Sequence, residues 1–366
     1  MSTSLPENSL EKQLQVQFAQ ELKRRFDDYL DSSAYIDDDG FVNIDGNLFL
    51  PSDVLLTDEG AYQSALLDFQ EREQEEFREV IIDNYPTPIA YHFYVACSEE
   101  YTLKERFQSL KDTWEALIFL LFGIIAGEYR RQSLPIRVTR NALDTKEKRL
   151  KHFCDWKLDT KLTIIEKMIE LAENQGYQLA ATELFPSNLI QRIRKLNDIR
   201  NEYSHTTRKS SLQEESLLSQ SLVEVTDILR LADGLQNIRL LRYLQGTRKA
   251  SEHLFEKFVG RTLDTDRERL ILSGEQIAQG QNFLTSDYIL IMNGDLQYTI
   301  APWLHFVPAD EGHSTRLCFY KNQRETVHYY EVLGQSLTVT VTELNYSTFD
   351  NDMTAFDALL EAGNHI

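Results

Sequence analysis

The longest apolar run of the sequence is Ala116–Gly127, which reads ALIFLLFGIIAG and carries no charged side chain. A helix needs roughly 20 apolar residues to cross a bilayer, and this run is well short of that length. It must therefore be covered by the protein itself, and it predicts a buried core helix with no membrane association. Apolar residues continue at helical spacing on both sides, so we expect the helix to extend from about Glu99 to Arg131.

Three further stretches of the chain show the same helical spacing of apolar residues. They cover, in order, about residues 159–174, 186–203 and 213–243. Four long helices with one apolar stripe each predict an antiparallel four-helix bundle over residues 98–245. The polar and basic residues 134–151, between the first two helices, predict a loop.

The chain before the bundle predicts a small α/β unit over residues 1–97. Helical spacing predicts two helices there, at residues 9–31 and 59–82. Strand-like runs on either side of Asp45-Gly46 predict a β-hairpin. The run YHFYVAC, residues 91–97, predicts an aromatic-rich strand or a buried connector.

The chain after the bundle predicts an antiparallel β-rich domain over residues 246–366. A short mixed helix is expected first, at about residues 250–259. Runs of alternating or β-branched and aromatic residues follow, with turn residues between them. These runs are 288–292, 296–307, 316–321, 326–333 and 337–344. The predicted fold class is therefore α+β, with the helical bundle between two smaller regions.

Charge is distributed unevenly along this acidic chain, whose formal net charge is −20. Residues 1–100 have a net charge of −16 and residues 251–366 a net charge of −10, whereas residues 101–250 have +6. The overall acidity excludes indiscriminate binding to nucleic acids or to anionic membranes, because phosphates would be repelled. The basic middle limits any RNA contact to the predicted bundle, and the acidic flanks are the expected surface for a regulatory protein partner.

The three cysteines, Cys97, Cys154 and Cys318, are far apart in the sequence. They form neither a zinc pattern nor a disulfide framework, which predicts a protein of the reducing cytoplasm. His152 and Cys154 are close together, but no second pair at metal-binding spacing accompanies them. The sequence also lacks the glycine-rich loops and nucleophile motifs of nucleotide-binding proteins and hydrolases. We therefore expect neither a metal nor an organic cofactor.

One stretch of the basic middle combines residue types that suit a chemical reaction. In KLNDIRNEYSHTTRK, residues 195–209, Arg200 and His205 are separated by four residues and Asn201 follows the arginine. RNA carries its own nucleophile, the 2′-hydroxyl. A protein can cleave it without metal if a histidine shuttles the proton and an arginine neutralises the phosphate charge. The nearby cations are expected to bind RNA phosphates. They are Arg192, Arg194, Lys195, Arg208 and Lys209.

The segment Arg200-Asn201-Glu202-Tyr203-Ser204-His205 resembles the R-x(4–6)-H motif of the HEPN superfamily, in which an asparagine often follows the arginine. The resemblance covers about residues 98–245 and implies a metal-independent endoribonuclease. It implies that Arg200 and His205 are the catalytic pair, that Asn201 supports them, and that two copies form a homodimer around one cleft. Because HEPN nucleases often have an accessory polar residue in the first long helix, Asp112 and Glu115 are candidates for that role. Many HEPN nucleases are toxins or antiviral effectors of prokaryotic defence.

Two other interpretations of the motif remain open. Arg200 can form a surface salt bridge while His205 caps a helix C-terminus, where a cation is favourable. Alternatively, a HEPN domain can bind partners without cleaving RNA. It would then be an antitoxin, an adaptor, or the partner subunit of a defence complex such as a short Argonaute system.

Overall fold

A computed structural model of the chain describes most of its residues. The described residues are 9–26, 34–36, 41–44, 47–55, 59–138, 146–196, 211–247, 249, 251–261, 268–280, 282, 284, 288–309, 314–323, 327–331, 338–341 and 346–363. Contacts between residues divide the chain into two compact units, Met1–Arg78 and Glu79–Ile366. The three-part division with borders near residues 97 and 245 stays a prediction.

The first unit combines helices with a small antiparallel sheet. Its elements are α1 (Ser9–Phe26), β1 (Ala34–Ile36), β2 (Val42–Ile44), β3 (Asn47–Phe49), α2 (Pro51–Leu55) and most of α3 (Glu59–Asn84). The sheet has the order β1-β2-β3. The pairing of β2 with β3 confirms the predicted hairpin, although Asp45 and Gly46 themselves lie outside the described residues. Phe18 and Leu22 of α1 pack with Val42 and Ala65 in the core of this unit.

The second unit contains the remaining helices and two antiparallel sheets. Its helices are α4 (Thr87–Cys97), α5 (Leu103–Arg131), α6 (Lys146–Phe153), α7 (Leu158–Gln175), α8 (189–196), α9 (Ser211–Leu231) and α10 (Tyr346–Gly363). Two 3₁₀ turns lie at Ala180–Leu184 and Asp233–Asn237. The mixture of helices and sheets confirms the α+β class.

Five strands form one sheet of the second unit in the order β6-β5-β4-β7-β8. They are β4 (Ile238–Gly246), β5 (Glu252–Lys257), β6 (Arg269–Ser273), β7 (Ile289–Asn293) and β8 (Leu296–Thr299). The other sheet has the order β12-β11-β10-β9. Its strands are β9 (Leu304–Ala309), β10 (Ser314–Gln323), β11 (Val327–Glu331) and β12 (Thr338–Val341). Strands β7 to β12 confirm the β-rich character predicted for this part of the chain.

Helix α5 is the predicted core helix, and every residue from Ala116 to Tyr129 is buried. It begins with a capping box in which the Thr102 side chain accepts from the backbone N–H of Glu105, while the Glu105 carboxylate accepts from the N–H of Thr102. Helices α4, α7, α9 and α10 all pack against it, as does β8. On the β8 side, a Cβ atom added to Gly127 would lie 2.8 Å from the carbonyl oxygen of Thr299. Glycine therefore permits the close approach of helix and sheet.

The structure corrects four predictions of local structure. Residues 91–97 belong to helix α4 instead of a strand, because a proline in the first turn favours a helix start and most of the helix is buried, with α5 as its main neighbour. The segment 134–151, predicted as a loop, contains most of α6. The helix predicted over 213–243 ends at Leu231, and 250–259 contains strand β5 instead of a helix. Strand pairing explains the last two corrections, because β4 pairs with β5 on one side and with β7 on the other.

Candidate active-site cleft

A cleft of about 910 Å³ lies between the first half of α5, the last described residue of α8 and residues 214–225 of α9. Most of its wall is apolar, and the apolar residues include Leu103, Phe107, Leu110, Trp114, Leu196, Leu217 and Val225. Its polar residues include Lys104, Gln108, Lys111, Glu214 and Ser221. The cleft can therefore hold a ligand with a flat or apolar part and a charged part.

The R-x(4–6)-H motif is connected to this cleft at both ends of its segment. Arg200, Asn201, His205, Arg208 and Lys209 lie outside the described residues. Leu196, the last described residue of α8, and Glu214, in the first turn of α9, both line the cleft. The described chain therefore lines the cleft four residues before Arg200 and nine residues after His205.

Two of the five cations predicted to bind RNA phosphates form ion pairs with neighbouring helices. Nη2 of Arg194 lies 2.9 Å from Oε2 of Glu166, and Nη2 of Arg192 lies 3.4 Å from both Oε2 of Glu224 and Oδ2 of Asp227. By contrast, Lys195 is exposed at the end of α8.

The two predicted accessory acids, Asp112 and Glu115, lie together beside a second, much smaller cavity. Its volume is about 10 Å³, roughly the space of one water molecule. His92 of α4 lines the same cavity. Sequence reasoning missed this histidine, although a polar residue within the apolar run YHFYVAC is a usable signal. The structure thus brings one imidazole and two carboxylates together in the interior.

Both acids are linked to the large cleft through a neighbouring side chain. Nε2 of Gln108 donates to Oδ1 of Asp112 at 2.8 Å, and Nζ of Lys111 lies 3.5 Å from Oε1 of Glu115. Gln108 and Lys111 line the cleft itself. Burial raises the pKa of Asp112, and the hydrogen bond from Gln108 partly opposes that shift. The acids can therefore orient the side chains that a ligand in the cleft would contact.

A buried lysine forms another unusual arrangement away from both cavities. Nζ of Lys161 donates to the carbonyl oxygen of Phe153 at 2.7 Å and lies 3.7 Å from the ring centroid of Phe122 and 4.7 Å from that of Trp303. Burial lowers the pKa of Lys161 to about 7, while nearby Cys154 and Asp155 act in the opposite direction. Because this amine is enclosed by aromatic rings, its contacts are those of a core residue.

The remaining ionisable groups give little support to metal or thiol chemistry. Among the described residues, no group of three or more His, Cys, Asp or Glu side chains is placed to hold a metal ion. Cys97, Cys154 and Cys318 are free thiols. Burial raises the pKa of Cys154 to about 12, so the thiol is protonated and weakly nucleophilic at neutral pH. No helix in the described part of the chain is long and apolar enough to cross a membrane.

Comparisons with protein-family models, with curated proteins and with solved structures find no match to this chain. Any functional conclusion must therefore come from the chain's own residues and their surroundings.

Proposed function

We propose that this chain is a metal-independent endoribonuclease of the HEPN type, with Arg200 and His205 as its catalytic pair and Asn201 as their support. The observation that carries this proposal concerns the described residues on both sides of the motif. Leu196 and Glu214 both line one cleft of about 910 Å³. The motif on its own is short, but active sites usually lie in a cleft, and the described chain on both sides of the motif lines one.

The cleft offers groups that suit single-stranded RNA. Lys104, Phe107 and Lys111 lie at positions i, i+3 and i+7 of α5 and therefore share one face of the helix. Single-stranded RNA is commonly held by aromatic side chains that stack on bases and by cations beside its phosphates. Packing of α7 and α9 against α5 supports a helical bundle on both sides of the motif in the sequence.

The proposed reaction needs only the residues of the motif and the RNA itself. His205 accepts the proton of the 2′-hydroxyl as its oxygen attacks the adjacent phosphorus. Arg200 stabilises the negative charge that develops on the phosphoryl oxygens. The 5′-oxygen of the next nucleotide leaves and is protonated by an imidazolium, either of the same copy or of a paired one. The products are a 2′,3′-cyclic phosphate and a free 5′-hydroxyl.

The physiological setting that this proposal favours is prokaryotic defence in the cytoplasm, with the protein as a toxin or anti-phage effector. A homodimer formed through the helical bundle would place two motifs around one cleft. The acidic region before α4 would then be available to a regulatory protein partner.

The test is RNA cleavage by the full chain in EDTA, compared with the double variant Arg200→Ala, His205→Ala. We expect the wild type to give cyclic-phosphate ends and the double variant to lose at least about 1,000-fold in rate, as in other sites that lose their acid–base and charge-stabilising groups. A folded double variant that cleaves RNA as fast as the wild type would overturn the proposal.

A second candidate function is a non-catalytic interaction module. The observation that favours it is the largely apolar wall of the cleft, which also suits an apolar helix of a partner protein. In that case the wild type does not cleave RNA, and Phe107→Asp in the cleft wall abolishes partner binding while Arg200→Ala, His205→Ala leaves it intact.

A further inference from the structure

We propose that Arg192 and Arg194 are positioning residues, which form an ionic clamp that fixes helix α8 at the point where the chain continues into the Arg200–His205 motif. This inference rests on the proposed function, because it assigns the two arginines to the geometry of that site instead of to phosphate binding. The clamp is defined by the contacts of Arg192 and Arg194 with carboxylates of α9 and α7.

Arg194 attaches α8 to α7 through three residues. Its Nη2 lies 2.9 Å from Oε2 of Glu166 and donates to Oγ1 of Thr163 at 3.0 Å, and its Nε lies 3.5 Å from Oδ1 of Asp159. Positions 159, 163 and 166 are spaced i, i+4 and i+7, so they present one face of α7 to the arginine. A planar guanidinium whose Nη2 contacts oxygens of two residues of α7 is restrained in direction as well as in position.

Arg192 attaches the same short helix to α9. Its Nη2 lies 3.4 Å from Oε2 of Glu224 and 3.4 Å from Oδ2 of Asp227, which are one turn apart on α9. Helix α8 is therefore connected by arginines to two different helices. One of them, α9, starts at Ser211, six residues after His205.

Apolar packing and the clamp contribute differently to the position of α8. Leu189, Ile193 and Leu196 are buried and hold the helix against the core. Arg192 and Arg194 add directed contacts at the surface, where an ion pair contributes at most about 1 kcal/mol to stability. The motif begins four residues after Leu196, and a displacement of about 1 Å at a catalytic group can lower a rate about 100-fold. The clamp is therefore placed to control turnover more than stability.

The competing assignment is that the two arginines bind RNA phosphates directly. The two roles predict different kinetics. A phosphate contact contributes to binding, so its loss raises KM. The loss also makes the dependence of log affinity on log salt concentration less steep, by about 0.7. A positioning contact acts on the chemical step, so its loss lowers kcat and leaves both KM and the salt slope unchanged.

The experiment measures cleavage of one RNA oligonucleotide by the full chain and three variants over a range of salt concentrations. We expect Arg194→Ala to lower kcat about tenfold at unchanged KM. The exchanged pair Arg194→Glu, Glu166→Arg is made together with Asp159→Asn, so that the new carboxylate does not face that of Asp159. It should recover kcat to within about threefold, because the attraction is restored with opposite polarity. Lys257→Ala, which breaks a comparable ion pair with Glu268 in the β-sheet, is the matched control and should leave kcat unchanged.

Three outcomes would overturn the clamp. They are a rise of KM with a smaller salt slope in Arg194→Ala, failure of the exchanged pair to recover kcat, or a kcat of Arg194→Ala equal to that of the wild type. Hydrogen exchange of the backbone amides in α8 gives a readout that does not depend on catalysis. Exchange should be faster in Arg194→Ala and normal in the exchanged pair. If the wild type does not cleave RNA, the proposed function fails, and this exchange pattern alone decides whether the clamp exists.

Discussion

Residues 103–111 and residues 112–129 belong to one continuous helix, α5, but their surroundings differ. The first part lines the cleft, and Lys104 and Gln108 are exposed there. The second part is enclosed by protein, except that Glu115 is half-buried and Trp114 reaches the wall of the cleft. The difference shows that one element supplies both the stability of the second unit and one wall of its candidate active site.

The difference follows from the sequence of the two parts. LKERFQSLK has apolar residues only at positions that repeat with the turn of the helix, so one face stays in contact with solvent. ALIFLLFGIIAG is apolar on every face, so it must be covered on every side, and helices and a β-sheet together provide that cover. We therefore expect substitutions in the enclosed part to lower stability and substitutions in the open part to lower activity.

The largest effect should come from Phe122→Ala in the enclosed part. Phe122 is fully buried, and its ring centroid lies 5.0 Å from that of Trp303 and 5.2 Å from that of Phe153. Removing a buried aromatic side chain lowers the free energy of unfolding by about 3–5 kcal/mol. Chemical denaturation measures this loss.

The matched substitution in the open part is Phe107→Ala. Its free energy of unfolding should fall by less than about 1 kcal/mol, as for residues away from the core. Cleavage at low RNA concentration should fall about tenfold, because stacking on an aromatic side chain contributes about 1–3 kcal/mol per base. If Phe122→Ala and Phe107→Ala lowered the free energy of unfolding equally, the two parts of α5 would not differ in their contribution to stability.

A smaller effect is expected at the glycines of α5. Gly127→Ala places a methyl group 2.8 Å from the Thr299 carbonyl oxygen. Because helix and sheet must move apart to accommodate it, the free energy of unfolding should fall by about 1–3 kcal/mol. At Gly123 the nearest atom is the Cβ of Trp303 at 3.5 Å, an ordinary contact. Gly123→Ala should therefore be neutral or stabilising, because alanine favours the helix by about 1 kcal/mol. Thermal unfolding of both variants checks the contrast, and a larger loss at Gly123 would reject it.

The sequence predicts α5 well because a wholly apolar run leaves one physical solution. It does not predict β4, because the apolar residues of IRLLRYLQ fit a helix and a strand almost equally. Pairing with β7, whose residues come about 50 positions later, decides the matter. The same limit applies at the site. The carboxylate partners of Arg192 and Arg194 lie about 30 residues away in the sequence. The residues around the motif therefore do not reveal these ion pairs.

The smallest expected effect concerns the pH dependence of the enclosed part. Lys161 has a folded-state pKa of about 7, against 10.5 for an ordinary lysine. Between those values the unfolded chain binds more protons, so this lysine makes stability rise with pH. Lys161→Met removes the effect. The free energy of unfolding of the wild type minus that of the variant should therefore increase by about 2 kcal/mol from pH 7 to pH 9. A difference that is constant or falls over this range would show that the ammonium stays charged in the core.

The most direct test of the central claim, that RNA is bound at the open part of α5, is photochemical crosslinking. The full-length Arg200→Ala, His205→Ala variant is irradiated with an RNA oligonucleotide that contains 4-thiouridine, and the crosslinked peptides are identified by mass spectrometry. We expect crosslinks in residues 103–114 and 211–225, the two walls of the cleft. Crosslinks confined to Met1–Arg78 or to strands β9–β12 would contradict the account.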